Sequence, residues 1–236
     1  MTCDRTIDIT KDKTTIVFGQ SHKPSEFPRF RVYNRDSDND KYYQHGILPF
    51  PNSTSLDGRS LNDGNSSKSN RVIASSVSIS NDGQRVALGS NTGRKVKIFD
   101  LDTDDEWKDT KTFWGPHSSL FGQSVSLNPT TGNTIAIGSP RYTANNKARS
   151  GTVFVYQYEN NYWSQLQPNI DGNIQYGELG WRVDVDHNNT VHAGYHKRSA
   201  VFSFKYDGNV WLPIPGADTD LKKCFSQSNN QCETNL

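Results

Sequence analysis

Methionine occurs once and cysteine three times in these 236 residues, and no apolar run approaches the length of a membrane span. Cys3, Cys224 and Cys232 form neither a CxxC pair nor a dense disulfide framework. The opening stretch MTCDRTIDITKDKTT lacks the apolar segment of a secretory leader, so an intracellular setting and no membrane partner are expected. Charge of one sign is also missing: the net value is +1, which names no bulk electrostatic partner. Phosphate-binding loops, HExxH, GxSxG and dinucleotide fingerprints are absent. Apolar residues make up only 32% of the chain, whereas Asn occurs 22 times. A sequence this polar folds by placing its apolar residues in short regular strands, and the 11% of aromatics opposes wholesale disorder.

What is present is a repeat. SSVSISNDGQRVALGS (75–90) matches QSVSLNPTTGNTIAIGS (123–139) almost position by position. RTIDITKDKTTIVFGQ (5–20) and WRVDVDHNNTVHAGY (181–195) are weaker copies. Each is an alternating strand A, a polar turn, and a strand B ending in Gly. A third strand C follows: PRFRVYNR, RKVKIFDL, GTVFVYQY and SAVFSFKY. Strand D then opens near an aromatic: Tyr43, Trp107, Trp163 and Trp211. Anchored on Ile7, Val77, Val125 and Val183, the copies are 70, 48 and 58 residues apart.

Four short strands repeated at this spacing predict an all-β fold, a small β-propeller with four blades of four antiparallel strands. The blades span about 5–50, 73–115, 121–172 and 179–217 of a single domain at 1–217. A Ser/Asn/Gly-rich loop is expected over 44–74, and a tail over 218–236. The B strands IVFG, VALG, IAIG and VHAG suit burial on both faces between blades. Their closing Gly19, Gly89, Gly138 and Gly194 suit positive φ or close backbone approach. Because the repeats run from strand A to strand D, no strand crosses between first and last blades, so a ring completed by a partner chain stays open as a reading.

The segment 121–172, FGQSVSLNPTTGNTIAIGSP and onward, resembles the FG-GAP type of propeller repeat, which includes integrin-alpha-like blades and bacterial, algal and large-virus proteins. That resemblance implies a propeller used for binding or assembly. Calcium-binding members carry a DxDxDG-like A–B turn, but here the turns read TKDKT, SNDGQ, NPTTGN and DHNNT, too poor in carboxylates for calcium. No metal, cofactor or catalytic residue is expected. The expectation is a non-enzymatic binding or assembly scaffold with protein partners, a virion component among the options. The alternative is a carbohydrate-binding or carbohydrate-active propeller, whose acid pair would come from distant blades and face one central cleft.

Other groups with chemical potential have simpler readings. The acidic runs DSDND (36–40) and DLDTDDEW (100–107) fall at C–D turns, where Asp and Asn bond their own backbone. His192 fills the strand-B slot of Ala87 and Ala136, which reads as packing rather than zinc ligation alongside His187 and His196. Cys3 with Cys224 is a possible ring-closing disulfide, against three reduced thiols. The B–C loops hold Lys23, Arg94, Lys95, Arg141, Lys147, Arg149, Lys197 and Arg198, which makes one end of the disc basic and the C–D end acidic. An acidic protein surface, nucleic acid or anionic glycan would suit the basic end. Retention on immobilised heparin at low salt, lost at moderate salt, is the expected behaviour; flow-through at low salt contradicts it.

Overall fold

The computed structural model describes residues 6–20, 29–49, 75–197, 200–215 and 219–220. Blade 1 comprises β1 (Ile7–Ile9), β2 (Thr15–Gln20), β3 (Arg29–Arg35) and β4 (Tyr42–Pro49). Blade 2 comprises β5 (Ser76–Ile79), β6 (Arg85–Ser90), β7 (Lys95–Leu101) and β8 (Trp107–Trp114). Blade 3 comprises β9 (Ser124–Leu127), β10 (Thr134–Ser139), β11 (Thr152–Glu159) and β12 (Tyr162–Asp171). Blade 4 comprises β13 (Leu179–Val185), β14 (Val191–Tyr195), β15 (Ala200–Tyr206) and β16 (Trp211–Pro213). All four sheets are antiparallel meanders in sequence order, and the described residues contain no helix. The expected four-bladed all-β propeller is therefore the architecture observed.

Several expectations shift in detail. Residues 44–49, assigned to the loop, are the last six of the eight residues of β4; 50–74 lie outside the described residues. In the tail, β17 (Thr219–Asp220) pairs with Ala200 and Val201 on β15, and the rest of it is not described. Trp107, Trp163 and Trp211 face Leu101, Tyr158 and Tyr206 across the C–D pair, and the matching partner of Arg35 is Tyr42. Tyr42, not Tyr43, is thus the equivalent residue. A one-residue offset matters because it moves a side chain to the opposite face of the sheet.

Apolar clusters fill the three junctions between consecutive blades. Val17, Phe30, Val32 and Leu48 of blade 1 meet Ile79, Val86, Leu88 and Phe99 of blade 2. Ala87, Val96, Ile98 and Phe113 meet Val125, Leu127, Ile135, Ile137 and Phe154 of blade 3. Ala136, Val153, Val155 and Ile170 meet Leu179, Val185, Val191, Ala193 and Tyr195 of blade 4. Arg85 adds a polar clamp: its guanidinium bonds Asp100 at 2.6 and 3.3 Å and lies 4.4 Å from the Tyr158 ring centre in blade 3. Among the described residues no strand of blade 4 packs on blade 1 to a comparable extent.

Strand B records this difference. In the inner blades, β10 is buried throughout and β6 at all but its first residue, as the apolar runs predicted. In β14 burial alternates, and so it does from Thr15 to Gly19 in β2, because blades 1 and 4 each have one covered face. The closing glycines behave alike. None of the four has positive φ, so close approach is the reason for Gly19, Gly89 and Gly138, where an added Cβ would come within 3 Å of a neighbouring atom. A Cβ on Gly138 would fall inside contact of the Gly180 carbonyl oxygen in blade 4, and one on Gly89 would strike the Gly122 carbonyl in blade 3. A Cβ on Gly194 meets nothing nearer than 3.7 Å. Gly138→Ala should therefore destabilise the fold by about 1–3 kcal/mol through overpacking. Gly194→Ala should be neutral or stabilising by about 0.5 kcal/mol. Urea unfolding of dilute protein separates the two.

Candidate functional site

The inner strands β1, β5, β9 and β13 all line one cleft along the axis, and the residue after each anchor is polar: Asp8, Ser78, Ser126 and Asp184. Each of the first three accepts a backbone N–H from the following blade. Ile79 donates to Asp8 Oδ2 at 2.8 Å, Leu127 to Ser78 Oγ at 3.1 Å, and Val185 to Ser126 Oγ at 3.0 Å. The Ser126 hydroxyl donates in turn to Asp184 Oδ1 at 3.1 Å. Asp184 ends this ladder; among the described residues it takes no N–H from a further blade. Ile9, the next equivalent donor, bonds its own Asp8 Oδ1 at 2.9 Å.

These four residues line one cleft of about 390 Å³ at the A–B turn end of the axis, with Asn81, Pro129 and His187 at its rim. The A–B turns are held by side chains that accept their own backbone donors. Asp82 Oδ1 takes Gln84 N–H, Asn128 Oδ1 takes Thr130 and Thr131 N–H, and Asp186 Oδ1 takes Asn188 and Thr190 N–H. Asn128 also donates its amide to the Asp186 carbonyl, tying the turn of blade 3 to that of blade 4.

Carboxylates dominate the cleft. Asp8, Asp184 and Asp186 line it with His187, and no Lys or Arg does among the described residues. Burial pushes the Asp8 carboxyl above the usual value of 3.8, against the bonds from Ile79, Ile9 and Ser78, and the charge of Asp184 adds to the rise. Burial acts in the same direction on Asp186, but the Thr190 and Asn188 N–H groups outweigh it and hold that carboxyl below 3.8. Two carboxyls of the same cleft are thus shifted in opposite directions.

The acid pair was not singled out in the sequence, although the signal was there. The column after the anchors reads Asp, Ser, Ser, Asp at a position that must face either the axis or the next blade. The basic candidates disperse instead. Lys95 is buried, with its ammonium 5.7 Å from the Trp114 ring centre; burial lowers its pKa, as does neighbouring Lys97. Lys147 donates to the Asn173 carbonyl at 2.6 Å, and Arg94 reaches the Gly115 carbonyl at 3.4 Å. Arg141, Arg149 and Lys197 are exposed; Lys23 and Arg198 lie outside the described residues. So do Cys3, Cys224 and Cys232, and with them the ring-closing disulfide. The histidines also part company: His187 rims the cleft, His192 bonds Ser203 Oγ at 2.7 Å, and His196 stacks on Trp181 at 4.1 Å. In the acidic turns, Asp36, Asp102 and Asp207 accept N–H groups of their own turns.

No family model and no curated protein matches the chain. Solved structures do. The periplasmic gluconolactonase of Pseudomonas aeruginosa aligns at TM-score 0.59 and 11% identity, over 92% of this chain and 57% of that one. A candidate 6-phosphogluconolactonase of Bacteroides fragilis aligns at 0.55 and 12%, over 91% and 54%. The WD40 repeats of RRP9 align at 0.53 and 14%, over 92% and 52%. The chain thus spans about half the length of these structures, and at such identities the likeness establishes the propeller fold. It also corrects the expectation of a non-enzymatic scaffold, because the neighbours named as gluconolactonases favour the carbohydrate alternative.

The Asp8 shift has a definite sign. A carboxyl raised on folding contributes stability below pH 3.8 that is lost as pH rises through its folded value. Asp12, Asp102, Asp186 and Asp207, all lowered, contribute stability above 3.8 that is lost as pH falls through their folded values. Carbon-13 titration of the carboxyl carbons should place the Asp8 midpoint above 3.8, and Asp184→Asn should bring it down.

Proposed function

We infer that the axial cleft is a carbohydrate site and that the protein is a carbohydrate-binding or carbohydrate-active propeller. The observation that carries this reading is the pair Asp8 and Asp184, from the first and last inner strands, lining one cleft of about 390 Å³. That volume is at the small end of ligand sites, which run from roughly 300 to 1,000 Å³, and suits a single sugar ring. Serine hydroxyls and carboxylates supply the donors and acceptors that a polyol needs.

The gluconolactonase neighbours make a sugar lactone the first substrate class to test. In that reaction Asp184 takes a proton from water as the oxygen attacks the lactone carbonyl. The ring C–O bond then breaks, and the departing ring oxygen takes a proton by way of Asp8, the carboxyl whose pKa burial raises. The lining favours an unphosphorylated sugar, because a phosphate dianion would enter beside Asp8, Asp184 and Asp186 with no lysine or arginine facing it among the described residues. The repeat itself is assigned to the FG-GAP type, on the strength of Phe121-Gly122 before strand A and Gly138-Ser139-Pro140 after strand B.

The test is acid release from D-glucono-1,5-lactone in a pH-stat, with calorimetry against neutral monosaccharides. Hydrolysis above background should fall by about 10²–10⁴-fold in Asp8→Asn or Asp184→Asn. Binding without turnover selects the binding module. The absence of both binding and turnover overturns the reading.

A further inference from the structure

The two ends of the blade row are unfinished in complementary ways. Cross-strand partners share a face of the sheet. On blade 1, Ile7, Phe18, Arg31 and Ile47 form one row and Ile9, Ile16 and Tyr33 the next, all on the face turned away from blade 2. The corresponding inner-strand residues Val125 and Leu127 of blade 3 are 6% and 2% exposed beneath blade 2, whereas Ile7 and Ile9 are 67% and 43% exposed. On blade 4, the face turned away from blade 3 carries Asp184, His192 and Ser203 in one row, with Val201 and Leu212 beside them. Among the described residues every exposed large aliphatic side chain belongs to blade 1 or blade 4, and Ile7, Ile9, Ile47 and Leu212 lie on these two end faces.

The polar ladder is unfinished at the same places. Asp184 has an acceptor oxygen and no following blade, and the Ile9 N–H has no preceding blade and turns to its own side chain. Gly194, at the blade 4 position where Gly89 and Gly138 admit a neighbouring carbonyl, has only Arg182 and Ala200 of its own blade near it, at 3.7 Å and beyond. Each end therefore presents half of the junction that the chain builds three times internally.

We propose that a second copy of this chain covers both ends, with blade 4 of each copy packed on blade 1 of the other about a two-fold axis. Several observations select this occupant. The chain covers 52–57% of the propellers cited above, so two copies supply about one ring's worth of blades. Eight blades in all is within the usual range of about four to eight. A head-to-tail contact that closes after two copies leaves no open end, whereas one that does not close produces filaments. In each new junction Asp184 of one copy accepts the Ile9 N–H of the other, a fourth rung of the ladder. The axial cleft is then enclosed by inner strands of both copies. This inference stands on the end faces and is independent of the carbohydrate reading.

The mass of the full chain in solution, by light scattering on a sizing column, should be twice that of one chain. Ile9→Asp and Leu212→Asp, each at an exposed position, should halve that mass and leave the circular-dichroism spectrum unchanged. Mixing the two variants should restore part of the dimer, because one of the two junctions is then wild type on both sides. Three results overturn the proposal. A monomeric wild-type chain means that something other than a second copy covers the faces. A dimer that persists in Leu212→Asp but is lost in Ile9→Asp means that blade 1 packs on blade 1. A dimer indifferent to both substitutions lies elsewhere.

Discussion

One hydrogen bond, repeated, fixes the relation of each blade to the next: a polar side chain on the inner strand accepts a backbone N–H of the following inner strand. Asp8, Ser78 and Ser126 do this in turn. The inner strand is the first of its blade and has a sheet partner on one side only, so its other edge carries backbone groups that must be satisfied. A short side chain at one register position meets that need and fixes the height of the next blade on the axis. The apolar clusters of the three junctions supply most of the burial, but they are tolerant of sliding in a way that a directional bond is not.

The same geometry explains why small residues stand where strand B closes. The loops entering blades 3 and 4 bring the carbonyls of Gly122 and Gly180 against Gly89 and Gly138 of the preceding blades, and both entering glycines have positive φ, 83° and 85°. Ser76 and Ser124 hydroxyls donate to those carbonyls at 3.1 and 3.0 Å. A chain that approaches this closely leaves no room for Cβ on either side. Where no blade follows, at Gly194, the restriction disappears. His192 and Ser203 then occupy positions held by Ala136 and Val155 one blade earlier, and they satisfy each other.

Which end of the axis the polar column serves decides where the cleft opens. Inner strands end at the A–B turns, and the C–D turns lie at the same end, so the cleft opens on the acidic side of the disc. Asp8 carries the ladder and lines the cleft at once. Its burial raises its pKa, so a structural rung is also a carboxyl of perturbed proton affinity. The exposed basic residues of the B–C loops are at the other end and take no part in the cleft.

Much of the fold was legible in the sequence because the repeat is written in alternation. Val77, Val125 and their neighbours fix the strands, the Asp- and Asn-rich turns fix the reversals, and VALG and IAIG announce strands covered on both sides. The outer strand of blade 1 was misread by one residue at Tyr43, since adjacent tyrosines give no phase and only the pairing of Arg35 with Tyr42 does. The site was harder to read. Asp8 and Asp184 are 176 positions apart in the chain, and each alone resembles any polar residue on an alternating strand. What the sequence by itself determined was the blade, because periodicity is local. What only the tertiary structure decided was which faces stay bare and which carboxyls share a cleft, because curvature about the axis is a property of all four blades together.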